Sequence, residues 1–297
     1  MTRARRWTAG VLAALALLML AAAALLAWWL PDDAQLAART EAAFAERYGV
    51  GLKVGRMHWA LRPVPVIVAE DIATEQERPI TVRRIAVRPQ LRALWDRRIA
   101  LDDVEIEGAV LPRTSVRAFR GRVEQDAAAP VSGWSMGAVP VERVRFRDVS
   151  WIDRRDIALA YEGRIEFDPQ WRPRRAEVQR MQVTPPARLR LERDGEVDRW
   201  QVFIDVGGGT WNGNATLDTD ARAGLALRAE LDPVGVDIAQ LVAAFQRRSA
   251  VQGKLNGRSV LDASGGNPGA LIRALHTRTT FNVKPATLLK FDLAKPV

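Results

Sequence analysis

The hydrophobic pattern of this chain changes twice, and each change marks a different kind of element. From Trp7 to Leu30 no residue is charged, and a helix of that length, rising about 1.5 Å per residue, covers the roughly 30 Å hydrocarbon core of a bilayer. Arg3, Arg5 and Arg6 precede the run and Asp32 and Asp33 follow it. The positive-inside bias therefore leaves Met1 in the cytoplasm and carries everything after Pro31 across the membrane. Trp7 at one end and Trp28 and Trp29 at the other fit an interfacial aromatic belt. A cleaved signal peptide needs an apolar region of only about 7 to 15 residues and a small-residue cleavage site. This run is longer and ends in Trp-Trp-Leu-Pro, so residues 1–31 are expected to form an uncleaved, single-pass anchor.

Beyond the run, residues 32–50 show a helical period. Asp33 can cap a helix on which Leu36, Ala43, Phe44 and Arg47 recur, and Gly49 to Gly51 ends it. From residue 51 onward the period becomes two. Leu52 and Val54, then Val64, Val66 and Val68, then Val104 and Ile106, then Val144 and Phe146, then Leu189 and Leu191 alternate with polar neighbours. The cleanest runs are Trp200, Val202, Ile204 and Val206, and Leu225, Leu227, Ala229 and Leu231. Such alternation predicts strands with one apolar and one polar face. Turn signals stand between them: Asp168-Pro169, Pro185-Pro186, Asp194-Gly195, Gly207 to Gly209, Asn212-Gly213 and Asp232-Pro233. Their short spacing implies antiparallel hairpins, because parallel strands require crossovers of a dozen or more residues. About sixteen strands are expected, which at about 4.8 Å each would reach on the order of 75 Å unrolled. Helical breaks are expected at Gln90 to Trp95, at the stripe Ile238, Leu241, Val242 and Phe245, and at Leu271, Ile272 and Leu275 after Asn267-Pro268. Val104-Glu-Ile-Glu-Gly108-Ala and Val144-Arg-Phe-Arg-Asp148-Val match in pattern, with Ile67-Val-Ala-Glu-Asp71-Ile a looser third copy.

Composition narrows the chemistry. There is no cysteine, which removes disulfides, thiolate nucleophiles and Cys-type metal sites together. The net charge of +9 is almost all arginine, spread along the chain with no recognition-helix or RNA-binding signature. It reads as a solvated face that favours anionic headgroups, and no nucleic-acid partner is expected. His58 lies in a strand-like stretch, and His276 is expected to end the Leu271 to Leu275 helix. No serine-hydrolase elbow, zinc-protease motif or phosphate-binding loop occurs. Asp32-Asp33 and Asp102-Asp103 point apart in extended chain, and the glycine run at 207–209 opens no helix. The expectation is a protein that is not an enzyme, with no catalytic, metal or cofactor-binding residues and no cofactor.

The segment Leu52-Lys-Val-Gly-Arg-Met-His-Trp-Ala-Leu-Arg-Pro-Val-Pro-Val-Ile-Val-Ala-Glu-Asp-Ile72 resembles the start of the AsmA family of envelope proteins. Ile80 to Pro89, Leu91 to Leu101 and Val104 to Pro112 continue the likeness in order, and Gly253 to Gly257 through Leu275, then Leu288 to Leu293, resemble that family's closing helix, strand and Phe-Asp-Leu turn. The resemblance implies an anchor in the Gram-negative inner membrane, with its amino terminus cytoplasmic and its bulk periplasmic. It also implies a long, curled β-sheet groove, related to TamB-like and bridge-like lipid transfer proteins. Members are linked to outer-membrane biogenesis, to targeting or assembly of outer-membrane proteins, and to phospholipid traffic. They continue past the Phe-Asp-Leu turn, so this chain is expected to be a short or truncated member.

Together these readings give a mainly β fold: the anchor at 1–31, a membrane-proximal helix at 32–50, and an antiparallel β-groove domain with short covering helices at 51–297. An apolar sheet face must be packed, covered or curled round acyl chains. Trp200, Val202, Ile204, Leu225, Leu227 and Leu231 are the candidate groove-lining residues, with phospholipid acyl chains as the expected partner. The alternative is a non-transporting scaffold that acts on outer-membrane protein assembly factors through an edge strand.

Overall fold

The computed structural model describes residues 33–60, 64–90, 92–93, 98–119, 135–169, 172–220, 224–266 and 268–288. The uncharged run expected to anchor the chain lies outside them, and no helix among the described residues is long and apolar enough to cross a membrane. The chain enters through helix α1 (Asp33–Tyr48), closed at Gly49, whose φ of 59° suits glycine and whose N–H donates to the Ala45 carbonyl at 2.8 Å. Four strands follow, β1 (Leu52–Ala60), β2 (Val66–Thr74), β3 (Thr81–Pro89) and β4 (Arg98–Pro112), then the short helix α2 (Arg113–Arg117). The sheet resumes with β5 (Ser135–Ile152), β6 (Ala158–Phe167), β7 (Pro173–Arg180), β8 (Arg188–Arg193), β9 (Arg199–Val206), β10 (Gly209–Asp220) and β11 (Gly224–Val234). It ends with β12 (Val236–Asp237), helix α3 (Ile238–Ala243), β13 (Val251–Gly265), helix α4 (Pro268–Arg273) and β14 (His276–Leu288).

All fourteen strands belong to one curled, open sheet in nearly sequential order, and β1 and β14 do not meet. Fourteen strands stand where about sixteen were expected. Because β11 and β12 share one edge of β13, the sheet steps through thirteen strand positions, which at about 4.8 Å per step is on the order of 58 Å. The curl is visible in contacts between turns far apart in sequence. Arg247 reaches Asp153 at 3.0 Å, the Gln246 side-chain amide donates to Ala158 O at 3.0 Å, and Arg180 Nε donates to Ala244 O at 3.1 Å.

One pair departs from the antiparallel expectation: β4 and β5 run parallel. The intervening segment, 113–134, has the length a crossover requires. The two matching sequence copies are this parallel pair, since Val104 faces Val144, Ile106 faces Phe146 and Ala109 faces Val149 in register. The copies also share a backbone device. Asp71, Gly108 and Asp148 occupy the same position of the three copies, and all have positive φ, at 55°, 65° and 55°. Each stands second in a pair of successive outward residues, so the apolar face changes parity there, and at Asp148 the register against β6 slips as well. In β2 the apolar face runs Ile67, Ala69, then Ile72; in β4, Val104, Ile106, then Ala109; in β5, Val144, Phe146, then Val149. Aspartate tolerates this left-handed conformation better than most residues with a Cβ.

The pairing carries the apolar face across the whole sheet and leaves charged residues on the other. Cross-strand neighbours Arg56, Glu70, Arg84 and Glu107 form one row of alternating sign. Arg56–Glu70 at 3.3 Å, Arg164–Glu177 at 3.1 Å and Arg143–Glu166 at 3.8 Å are among the resulting ion pairs. Exposed pairs of this kind contribute only about 0 to 1 kcal/mol each, so they hold register and solubility more than stability. A buried cluster differs. Asp168, Arg172, Arg193 and Asp198 join two neighbouring connections in a ring, with Arg193 bound to both aspartates, at 2.8 Å to Asp198, and Arg172 bound to both as well. The Arg193 and Asp168 side chains are each 3% exposed. Arg193 also lies 5.8 Å from the centre of the Trp200 ring, whose indole donates to Pro173 O at 2.5 Å.

Three local expectations are corrected. Asn212-Gly213 is no turn but lies inside β10, where Gly213 allows close passage of β11: a Cβ there would meet Glu230 O at 1.9 Å. Asp232-Pro233 is inside β11, opposite Asn212 and Trp211, and the bend falls instead at Gly235, with φ of 64°. His276 opens β14 after α4 has ended at Arg273. Of the helix expected at Gln90 to Trp95, Arg92 and Ala93 are helical, and residues 91 and 94–97 lie outside the described residues.

Candidate functional site

The apolar face is treated differently at its two ends. At the β1 end, α1 lies along the sheet margin. The Glu41 carboxylate accepts the Val54 backbone N–H at 2.8 Å, an edge donor that β2 does not use, and Thr40 Oγ1 sits 3.6 Å from the Met57 sulfur. Phe44 and Tyr48 of α1, 4.7 Å apart between ring centres, meet Phe119, just past α2, edge-on at 5.9 and 5.8 Å. Aromatic contacts of this geometry are worth about 0.5 to 1.5 kcal/mol beyond burial. They roof a cavity of about 550 Å³ whose floor is Val54 and Met57 of β1, Ile67, Ala69 and Ile72 of β2, and Val82, Ile85 and Val87 of β3. That volume lies within the usual range of ligand pockets, roughly 300 to 1,000 Å³. Almost nothing polar lines it.

In the middle of the sheet the apolar face is uncovered. Val104, Ile106, Val144, Phe146 and Ile165 share it, and each is only half-buried. Tyr161 lies on the same face, where burial pushes its phenol above the ordinary range, with the Arg180 guanidinium, 5.1 Å from the ring centre, pulling the other way. On the outer face, Arg145 is raised chiefly by its hydrogen bond to Asp103, against the cost of burial. The indole N–H groups of Trp59 and Trp211 are buried without an acceptor, and each such group costs about 1 to 3 kcal/mol while unpaired.

At the far end the face is sealed by the protein itself. Trp200, Val202 and Leu231, at 4%, 7% and 7% exposed, form one core with Ala215 and Ala229, and Ile204 and Leu227 pack against it. Leu225 is half-buried on the same face. The six candidate lining residues thus share one surface, but three are buried among their neighbours. Helix α3 closes the adjoining part: Asp237 caps it by accepting the Gln240 N–H at 2.9 Å, and Ile238, Leu241 and Ala244 pack on Val206, Val236 and Leu255. Sequence reasoning missed the lining of β1 to β3, because two successive outward residues interrupt its alternation. The amphipathic helix just ahead of those strands was the available signal.

The turn between β5 and β6 ties this plug to the sheet rim through Asp153. Its carboxyl is held below the usual carboxylate range, first by the Arg155 backbone N–H, against burial, and then by the Ile157 N–H and Arg247. A group lowered on folding stabilises above its unfolded pKa and loses that contribution as pH falls through the folded one. Amide protection at Arg155 and Ile157 is therefore expected to hold from pH 5 upward and to fall only below about pH 4, as read by hydrogen exchange. Among the described residues no group of three or more His, Cys, Asp or Glu is placed to hold a metal ion. Compared with protein-family models, with curated proteins and with solved structures, the chain matches none.

Proposed function

We propose that this chain is an inner-membrane-anchored, periplasmic protein of AsmA type that binds phospholipid acyl chains along its apolar sheet face and passes them on in outer-membrane biogenesis. The observation that carries this reading is the uninterrupted apolar face whose large side chains stay half-buried between the roofed cavity at β1 to β3 and the sealed core at β8 to β13. Burial of acyl CH₂ groups contributes about 0.8 kcal/mol each and asks for no exact polar site. A sheet on the order of 58 Å, counted at about 4.8 Å per step, suits a carrier or one segment of a path. The uncharged run at 7–30 would hold it at the membrane from which lipid is taken.

The test is to extract the full chain from membranes, exchange it through detergent and measure bound phospholipid by mass spectrometry. Stoichiometric lipid that survives exchange supports the reading; none retained contradicts it. A second reading, a scaffold acting on outer-membrane protein assembly, draws on a sheet margin: among the described residues β14 pairs with β13 alone.

A further inference from the structure

We infer that Arg180, with Tyr161 beside it, seats the anionic head of an acyl-chain lipid, a phosphodiester or a carboxylate, where the apolar face meets the end of helix α3. The inference rests on the lipid-binding reading and deepens it: it says where the head of the lipid lies and that the head carries negative charge.

The register places Arg180 on the apolar side of the sheet. In β7 it follows Ala176 and Val178 at alternate positions, and it stands opposite Tyr161, which in turn stands opposite Val149. The arginines of the neighbouring rows are on the outer face beside carboxylates: Arg164 and Glu177 at 3.1 Å, Arg175 and Glu192 at 3.7 Å, Arg188 and Glu177 at 3.9 Å. Arg180 is 8% exposed, and its two hydrogen bonds go to neutral carbonyls. Nε donates to Ala244 O at the end of α3 at 3.1 Å, and Nη1 donates to Ala160 O at 2.6 Å. A guanidinium stays ionised and carries five N–H donors, and taking that charge out of water is costly unless an anion and further hydrogen bonds offset it. Arg193 shows what a full match looks like in this sheet. It faces Trp200 on the same side, its side chain is 3% exposed, and both Asp168 and Asp198 bind it. Among the described residues no carboxylate pairs with Arg180.

The two carbonyls fix the plane of the Arg180 fork and leave Nη2, which has no acceptor among the described residues, to a ligand. Such forks bind phosphate and carboxylate oxygens with paired N–H groups. Tyr161, whose ring centre lies 5.1 Å from the guanidinium carbon, is kept protonated by burial and so offers its hydroxyl as a further donor. The span fits as well. The chains of one leaflet fill about half of a roughly 30 Å hydrocarbon core, so a chain laid across the strands from Arg180 covers about three steps of about 4.8 Å. Those steps are β6, β5 and β4, whose Ile165, Phe146 and Ile106 are half-buried on the apolar face.

The experiment strips the full chain of lipid in an uncharged detergent and offers it an equimolar mixture of dioleoylphosphatidylglycerol, oleic acid and dioleoylglycerol. Lipid retained after repurification is counted by mass spectrometry. All three carry oleoyl chains and differ in the head, so one or both anionic lipids are expected at about tenfold or more over the uncharged one, and the one retained names the head as phosphodiester or carboxylate. Inorganic phosphate at the lipid concentration should leave this pattern unchanged; if it abolishes the preference, the seat takes a free anion and the assignment to lipid falls. Arg180→Gln is expected to remove the preference while total lipid stays within about twofold, because the acyl contacts remain, and Tyr161→Phe to weaken it. A thermal melt checks that each variant folds; if Arg180→Gln does not, the head panel on the unaltered chain and on Tyr161→Phe decides. Equal retention of the three lipids overturns the seat and leaves lipid binding standing, with Arg180 then a tie for α3 alone. A preference that persists in folded Arg180→Gln overturns the seat as well. No retained lipid of any kind overturns the lipid-binding reading and this inference together.

Discussion

Asp168→Ala is expected to lower unfolding stability by about 3 to 5 kcal/mol, because it leaves Arg193 buried without one of its two carboxylates. The ring of Asp168, Arg172, Arg193 and Asp198 draws on the connections after β6 and after β8, so its loss loosens two hairpins at once. Asp168 Oδ1 also accepts the Arg172 backbone N–H at 2.8 Å, a turn contact that alanine removes as well. Arg143→Ala, which opens an exposed pair with Glu166 at 3.8 Å, should cost less than about 1 kcal/mol. Urea unfolding followed by tryptophan fluorescence checks both, since Trp200 sits against Arg193. Equal effects of the two variants would mean that the ring is no more important than the surface ladder.

Ala69→Trp is the second large effect. Ala69 forms part of the floor of the roofed cavity, between Met57 and Ile85 in the register. An indole added there fills much of the roughly 550 Å³. Acyl chain excluded from that space loses about 0.8 kcal/mol for each CH₂ no longer buried, so the loss of a few groups lowers lipid occupancy about tenfold or more. Strand pairing should survive, at an overpacking cost of about 1 to 3 kcal/mol at most. Bound lipid measured beside circular dichroism separates the two: occupancy falls while the β signal stays. Unchanged occupancy would remove the cavity from the lipid site.

Much of the fold was legible because its signals are local. Leu36 and Phe44 at helical spacing give α1, and the alternation from Trp200 to Val206 and from Leu225 to Leu231 gives β9 and β11. The parallel pairing of β4 and β5 was not legible, since nothing in either strand reports its partner's direction. Their matching sequences did carry the information, at Gly108 and Asp148, but a positive φ is invisible until the backbone is seen. Asp232-Pro233 misled for a related reason: Pro233 lies past Leu231, where β11 stops pairing with β13, and Gly235 makes the bend two residues later.

The candidate site was legible only in kind. The cleanest alternation marks strands whose apolar face is packed, which is why Trp200, Val202 and Leu231 are buried in a core. The lining that no core fills falls on β1 to β5, where Glu70-Asp71, Glu107-Gly108 and Arg147-Asp148 each place two outward residues in succession and break the period. The cavity itself needs α1 laid across three strands, an arrangement fixed by Glu41 with Val54 and by Phe44 and Tyr48 with Phe119. None of those pairs is adjacent in sequence.

Photocrosslinking in native membranes addresses the central claim most directly. A phospholipid with a diazirine in its acyl chain is activated in cells making the full chain, and the adducts are mapped by mass spectrometry. Labelling is predicted at Met57, Ile67, Ile85, Val104 and Phe146, on one face of five successive strands, with Arg84 and Glu107 on the other face unlabelled. Adducts confined to residues 7–30, or spread equally over both faces of the sheet, would contradict the account.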